Sequence, residues 1–121
     1  MSMARDLHAA TRACAAAAAI LLSPIAVAQD PLEATYLRYQ RAIHAAELCR
    51  DGTFGTPEHT RMAGYIDIAI NYGIATGRRL TLIEQAKGKV HDLVTGQGCA
   101  DSEVGELLAI FDAEFAPLLA E

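Results

Sequence analysis

The sequence predicts an all-α fold: a small up-down four-helix bundle, stapled by one disulfide, that follows a cleaved signal peptide. After residue 28, apolar residues recur at steps of three and four, the spacing of one helix face. Glycine, proline and capping residues divide this part of the chain into four segments. No segment alternates with period two for long, so we predict no strands. Short connections favour antiparallel neighbouring helices.

The first 28 residues have the pattern of a secretory signal peptide. Arg5 and Arg12 form a positive region, 13–22 is an uncharged apolar run, and 26–28 is a small-x-small cleavage site. The apolar run is interrupted by Ser23-Pro24 and is shorter than the roughly 20 residues that cross a membrane. We therefore expect one helical domain over 29–121, periplasmic or secreted, that does not span the membrane after cleavage.

The mature chain is acidic. It would carry 8 Lys and Arg against 14 Asp and Glu, a net charge of −6. Nucleic acids and anionic membrane surfaces reward clustered positive charge, so neither is an expected partner. Small cations, basic proteins or neutral ligands suit this charge better.

Cys49 and Cys99 are the cysteines that remain after residue 28. An exported chain meets an oxidising compartment, so we expect them to form a disulfide. Closing a loop of about 50 residues stabilises a fold by roughly 4 kcal/mol on the chain-entropy model. In an up-down bundle the end of the first helix and the start of the fourth lie at the same end, which agrees with this pairing.

The clearest sequence signals for the first two helices are the residues at their N-termini. Pro31 suits a first helical turn, and the first helix is predicted over 31–50, where Asp51-Gly52 stops it. The second is predicted over 56–76, with Thr56-Pro57-Glu58 at its start and Gly77 as its C-terminal cap.

The last two helices have clearer capping signals. Residues 81–84 read as a capping box, so the third helix is predicted to begin there and to close at Gly96 and Gly98. The fourth is predicted to start after Asp101-Ser102 and to fray or end early at Pro117.

Within the second helix, 64–73 is apolar nearly all round, which predicts the most buried helix of the bundle. Asp67 and Asn71 are exceptions, four residues apart. One interpretation is a thin solvent-facing strip. The other is a partly buried polar network or ligand site shared with the first helix, where the candidate partners are Tyr36, Arg38, Tyr39 and Arg41.

Metal binding is a weaker hypothesis. His44 and Glu47 are three residues apart, and Asp101, Glu103 and Glu106 cluster at the fourth helix start, where they could bind calcium or a lanthanide. The ordinary interpretation is that these acids cap the helix and complement its dipole. His44, His59 and His91 have no metal-ligand spacing and read as surface histidines. Apart from such an ion, no cofactor is expected.

No catalytic motif is visible. There is no Gly-x-Ser-x-Gly and no phosphate-binding glycine loop, so we do not expect an enzyme. In its signal, its mature size and its single widely spaced cysteine pair, the chain resembles the small periplasmic acid-stress chaperones of the HdeA type. It lacks the Trp-Thr-Cys stretch of that family, and we do not assign it to the family.

Three functional hypotheses follow. The leading one is a non-enzymatic exported helical protein that binds a protein or a small ligand, with a homodimer as one expected state. The second is a protein that binds a hard cation or a transition metal. The third is a pH-responsive periplasmic chaperone, whose carboxylates lose and histidines gain charge in acid.

Overall fold

The computed structural model describes residues 30–120, which form an all-α bundle. The helices are α1 (Pro31–Cys49), α2 (Thr56–Ala69), α3 (Thr76–Gln97) and α4 (Ser102–Ile110), which continues through a π-helical turn (Phe111–Phe115) into α5 (Ala116–Leu119). Over this range the chain forms no strand. The prediction of an all-α bundle with four main helices and one disulfide is confirmed. The predicted signal peptide, 1–28, lies outside the described residues.

Helix α1 is the centre of the bundle. Pro31 occupies its first turn, and the Asp30 carboxylate caps it by accepting a hydrogen bond from the Leu32 N–H at 2.8 Å. The predicted start is therefore confirmed, and the helix ends at Cys49, one residue before the predicted end. Contacts with α2, α3, α4 and the π-helical turn surround α1. Its buried residues are Tyr36, Leu37, Tyr39, Ala42, Ile43, His44, Ala45 and Ala46.

Helix α2 ends at Ala69, so the prediction that it continues to Thr76 is wrong. Asn71 and Tyr72 have left-handed φ values of 51° and 56°, which end the helix and turn the chain towards α3. Gly73 lies against the start of α1, where an added Cβ would stand 2.6 Å from Leu32 Cδ1. A side chain here would have to displace the end of Leu32 and would stand 3.1 Å from the Ile70 carbonyl oxygen, so the close approach favours glycine at this position of the turn.

The prediction that α2 is the most buried helix is also wrong. It buries only Met62 and Ile66, and the same face continues into the turn with Ile70 and Ile74. On its other side, Ile68 is 71% exposed. The apolar run is therefore divided between a core-facing stripe at four-residue spacing and a solvent-facing side.

Helix α3 begins at Thr76 and not at the predicted capping box, which lies inside the helix. Thr81 Oγ1 donates to the Gly77 carbonyl at 3.3 Å, so its hydroxyl bonds within the helix and does not cap a terminus. Arg79 Nε donates to the Ile74 carbonyl at 2.7 Å and ties the turn to the first helical residues. At the other end, Gly98 caps the helix with a φ of 86°, and here the predicted closure is confirmed.

Helix α4 starts where predicted. The Asp101 carboxylate accepts from the N–H groups of Glu103 and Val104 at 2.9 and 3.3 Å. Its α-helical geometry gives way to the π-helical turn, in which the Ala116 N–H bonds to the Phe111 carbonyl. Pro117 has no N–H and its ring crowds the carbonyl four residues before it, so a wider turn ahead of the proline relieves that clash.

The two ends of the bundle are held differently. The Cys49–Cys99 disulfide joins the end of α1 to the segment after α3. At the opposite end, Arg78 at the start of α3 pairs with Glu33 at the start of α1, with Nη2 and Oε1 2.6 Å apart. Helices α1 and α3 therefore run in the same direction, and α2 returns between them.

Candidate functional site

A pocket of about 370 Å³ lies where α1, α2 and α3 meet. Apolar side chains from all three helices line it, and its charged and imidazole side chains lie at the end near the disulfide. The apolar lining is Ile43, Met62, Ile66 and Ile83, and the polar end has His44, Glu47, His59 and Lys87. Tyr36 and Gln40 line the pocket further from the disulfide. The enclosed space is at the lower end of the range typical of small-molecule sites, about 300–1,000 Å³.

All three histidines after residue 28 line this pocket or the one beside it. His44 comes from α1, His59 from α2 and His91 from α3. The second pocket, of about 230 Å³, shares His44, Glu47 and Lys87 with the first, so the two adjoin. The fold thus brings together histidines that the sequence analysis interpreted as separate surface residues.

Glu47 lies between two imidazoles. Its Oε2 is 3.5 Å from His44 Nδ1, and its Oε1 is 3.5 Å from His59 Nε2. Both distances exceed the 2.7–3.2 Å usual for an N–H···O hydrogen bond. The carboxylate therefore keeps much of its capacity to accept hydrogen bonds.

His44 is buried, with 8% of its surface exposed. Burial lowers the pKa of its imidazole, and this effect outweighs the opposing attraction of the Glu47 carboxylate. The ring is neutral at pH 7, with one nitrogen a donor and the other an acceptor. Its Nε2 is buried and has no hydrogen-bond partner among residues 30–120. Such a polar atom is costly to bury, which makes His44 the most unusual side chain of the pocket.

Lys87 supplies positive charge at the same end. Its Nζ is 3.9 Å from Glu84 Oε1, at the limit of an ion pair, and both side chains are more than half exposed. Pairs of this kind contribute little free energy. The ammonium is therefore available to a ligand.

The predicted polar network around Asp67 has a different set of partners. Asp67 forms an ion pair with Arg79 of α3, a residue that the sequence analysis did not propose. Asn71 lies in the left-handed turn and not on the helix face beside Asp67. Tyr36 lines the pocket, and burial raises the pKa of its phenol.

The remaining network candidates lie on other parts of α1. The Arg38 guanidinium sits 5.2 Å from the centre of the Tyr39 ring. The Arg41 Nε is buried without a hydrogen-bond partner in the described chain. The Tyr39 hydroxyl donates a hydrogen bond to Glu114.

Glu114, in the π-helical turn, accepts hydrogen bonds from two tyrosines. Tyr39 Oη and Tyr65 Oη lie 2.8 and 2.9 Å from its Oε1. The bond to the carboxylate raises the pKa of Tyr65 to about 12. Both rings pack edge-on against Phe115, at 5.5 Å between centroids. One carboxylate of the π-helical turn therefore links α1 and α2.

The predicted cation ligands on α4 serve the helix start. Asp101 uses its carboxylate to cap the helix, and Glu103 and Glu106 are exposed on its first turns. In the described part of the chain, no group of three or more His, Cys, Asp or Glu side chains is arranged to hold a metal ion. Of the two groups of metal ligands proposed from sequence, the pair His44 and Glu47 lies at a pocket, and the trio on α4 does not line it.

His59 and Lys87 are the pocket residues that sequence reasoning missed. His59 is 12 residues after Glu47, and Lys87 is 40 residues after it. No local spacing in the sequence relates these residues to Glu47, because they approach it only when the chain reverses direction between the helices. The apolar positions of the first three helices could have indicated their proximity, since these positions determine which helix faces pack together.

None of the helices in residues 30–120 has both the length and the apolarity to cross a membrane. The chain matches no protein-family model, no curated protein sequence and no solved structure.

Proposed function

We propose that this chain is an exported, non-enzymatic protein that binds a small ligand in the pocket between α1, α2 and α3. The observation that carries the proposal is the convergence of His44, His59, Glu47 and Lys87 on one apolar-lined pocket, with His91 on the adjoining one. A site with an apolar body and a few polar groups at one end is the usual form of a small-ligand pocket.

The chemistry of the lining supports binding over catalysis. Imidazole and carboxylate groups can move protons, but the pocket is lined by no serine, threonine or cysteine that could act as a nucleophile beside them. A buried imidazole nitrogen without a partner gains a hydrogen bond when a ligand donor reaches it. The same groups therefore have a clear use in recognition.

Filling the pocket tests the proposal. Ala63 lines it from the exposed side of α2, so Ala63→Trp places an indole in the cavity without enlarging the core. Ala69→Trp is the matched control, because Ala69 is exposed on the same helix and does not line the pocket.

The measurement is amide chemical-shift mapping of the oxidised protein against a mixed set of small polar and amphipathic molecules. We expect shifts centred on His44, His59 and Lys87 in the native protein and the Ala69→Trp variant, and their loss in Ala63→Trp. Binding that Ala63→Trp leaves intact, or no binding by any compound, would contradict the proposal.

A second candidate function is a pH-responsive chaperone, favoured by how carboxylates hold the helices together. Hydrogen bonds from Arg78 and Arg50 lower the pKa values of Glu33 and Asp112, and each pair joins segments distant in sequence. Protonation of these acids removes the pairs. Reversible exposure of apolar surface below about pH 4, with suppression of client aggregation, is the expected behaviour. A native near-ultraviolet spectrum down to pH 2 would exclude it.

A further inference from the structure

The polar end of the pocket carries one negative and one positive side chain. Glu47 of α1 and Lys87 of α3 both line the main pocket and the adjoining one, so they face the same space. His44 beside them is neutral because it is buried. A ligand head group that bears both charges would therefore match this end better than a simple anion or cation.

We propose that the pocket binds an apolar α-amino acid, with its ammonium at Glu47, its carboxylate at Lys87 and its side chain on the apolar lining. This inference rests on the proposed small-ligand function and names the class of ligand. It also gives a role to the Glu47 carboxylate and the Lys87 ammonium, which make only weak contacts within the bundle.

The ammonium of such a ligand finds acceptors at Glu47. The two carboxylate oxygens stand 3.5 Å from their imidazole neighbours, too far for strong hydrogen bonds, and so remain available. A neutral imidazole also offers an acceptor nitrogen. An ammonium has three N–H donors, which suits a site that presents several acceptors and a negative charge.

The carboxylate of the ligand finds donors at Lys87 and His59. The Lys87 ammonium is held only loosely by Glu84, and the His59 side chain is half exposed at the rim. A ligand lacking this carboxylate would leave its ammonium near Lys87 without compensation. A ligand lacking the ammonium would bring its carboxylate near Glu47, where like charges repel.

The apolar part of the ligand finds the pocket floor. Met62, Ile66 and Ile43 are almost fully buried behind the pocket. Ile83 is half-buried and Ala63 is exposed, so these last two present most of the apolar surface that the ligand would contact. The volume of about 370 Å³ lies near the lower limit for ligand sites, which favours a molecule the size of a single amino acid. Burial of the ligand side chain supplies the apolar share of the affinity.

The test compares leucine with molecules that lack one of its parts. Amide chemical-shift titrations of the oxidised protein would use L-leucine, 4-methylpentanoate without the ammonium, 3-methylbutylamine without the carboxylate, and glycine without the side chain. We expect leucine to bind most tightly, and each of the other three to bind about tenfold or more weakly, the usual cost of losing a charged hydrogen bond or an apolar contact.

Two variants assign the charges. Glu47→Gln should weaken leucine binding and abolish its advantage over 4-methylpentanoate, whereas Lys87→Met should abolish its advantage over 3-methylbutylamine. The matched controls are Glu106→Gln in α4 and Lys89→Met in α3, which change exposed residues that do not line the pocket. The controls should bind leucine like the native protein, and melting curves confirm that every variant is folded.

Three results would overturn the inference. If 4-methylpentanoate or 3-methylbutylamine binds as tightly as leucine, the pocket recognises only one of the two charged groups of the ligand. If leucine, methionine and phenylalanine do not bind while other compounds bind in a way that Ala63→Trp blocks, the ligand class is wrong and the proposed function stands. If zinc alone produces the shifts and EDTA reverses them, the histidines and Glu47 form a metal site, and the proposed function fails as well.

Discussion

Helices α1 and α2 both carry an apolar stripe, yet the bundle buries them very differently. Eight residues of α1 are buried, on several sides of the helix, because α2, α3, α4 and the π-helical turn all pack against it. Helix α2 packs against α1 and α5, and it reaches α3 and the π-helical turn through the single side chains of Asp67 and Tyr65. It buries only Met62 and Ile66. Burial is therefore set by how closely the neighbouring helices pack against a helix, and apolar composition alone does not determine it.

The small residues of α1 explain how it accommodates so many neighbours. Ala42, Ala45 and Ala46 are at most 1% exposed, so other helices approach its backbone closely on those sides. In α2 the equivalent small residues, Ala63 and Gly64, face outwards. The same residue types thus permit close packing in one helix and leave open surface in the other.

The largest effect should come from the covalent bond that anchors α1. Replacing Cys49 and Cys99 with serine opens a loop of 50 residues and should lower the free energy of unfolding by about 4 kcal/mol. Urea unfolding of the native and double-variant proteins measures this difference. A loss below about 1 kcal/mol would mean that the unfolded chain keeps enough residual structure to be constrained without the bond.

A matched pair of isoleucines tests the two helices directly. Ile43→Ala in α1 removes a side chain that is 3% exposed and should cost about 2–4 kcal/mol, because a cavity remains. Ile68→Ala in α2 removes a side chain that is mostly exposed and should change stability by less than about 0.5 kcal/mol. Equal losses in chemical denaturation would show that the outer side of α2 is covered in solution, as in a homodimer.

The shared carboxylate offers a third comparison, since Glu114 bonds to a tyrosine from each helix. Tyr39→Phe and Tyr65→Phe should each lower stability by about 1 kcal/mol, and the double variant should lose less than the sum. Tyr72→Phe is the control, because its ring is 67% exposed in the turn and its loss should not be measurable. Thermal melts at neutral pH measure these losses. If the loss in the double variant equals the sum of the two single losses, the two hydrogen bonds to Glu114 are independent and the prediction is wrong.

The smallest effect at neutral pH, and the most informative in acid, should come from His44→Gln. Burial places the pKa of His44 below its unfolded value of about 6.5, so the unfolded chain binds the proton more readily. The native protein should therefore lose stability as the pH falls below about 6.5, and the variant should lose less over pH 6.5–5. A further loss below about pH 4 should appear in both, from Glu33 and Asp112. Identical profiles between pH 6.5 and 5 would show that His44 is not the responsible group.

The sequence was a good guide wherever the signal is local. The Pro31 start, the Asp101 cap, the Gly98 closure and the Cys49–Cys99 disulfide follow from residue types at or near the positions concerned. The boundary between α2 and α3 was misplaced because two local signals competed. The apolar run favoured a longer helix, whereas Asn71 and Gly73 permit a left-handed turn and a close approach that only the folded bundle requires.

The pocket was only partly predictable for a different reason. His44 and Glu47 were visible as an i, i+3 pair, because one turn of one helix brings them together. His59 and Lys87 reach them through the packing of three helices, and no spacing in the sequence encodes that packing. The partner of Asp67 was missed in the same way, because Arg79 approaches it only after the chain turns back from α2 into α3.

A covalent bond holds α1 and α3 together at one end of the bundle, and only an ion pair holds them at the other, so the two helices should separate from the ion-paired end first. Thermal fluctuations and salt disrupt an exposed pair such as Arg78–Glu33 far more readily than they break a sulfur–sulfur bond. Separation of α1 from α3 should therefore begin beside Glu33, with the cystine as the pivot. Glu47 lies two residues from the disulfide, so the charged groups of the pocket should keep their spacing during this motion. The end of the pocket beside Tyr36 should widen most.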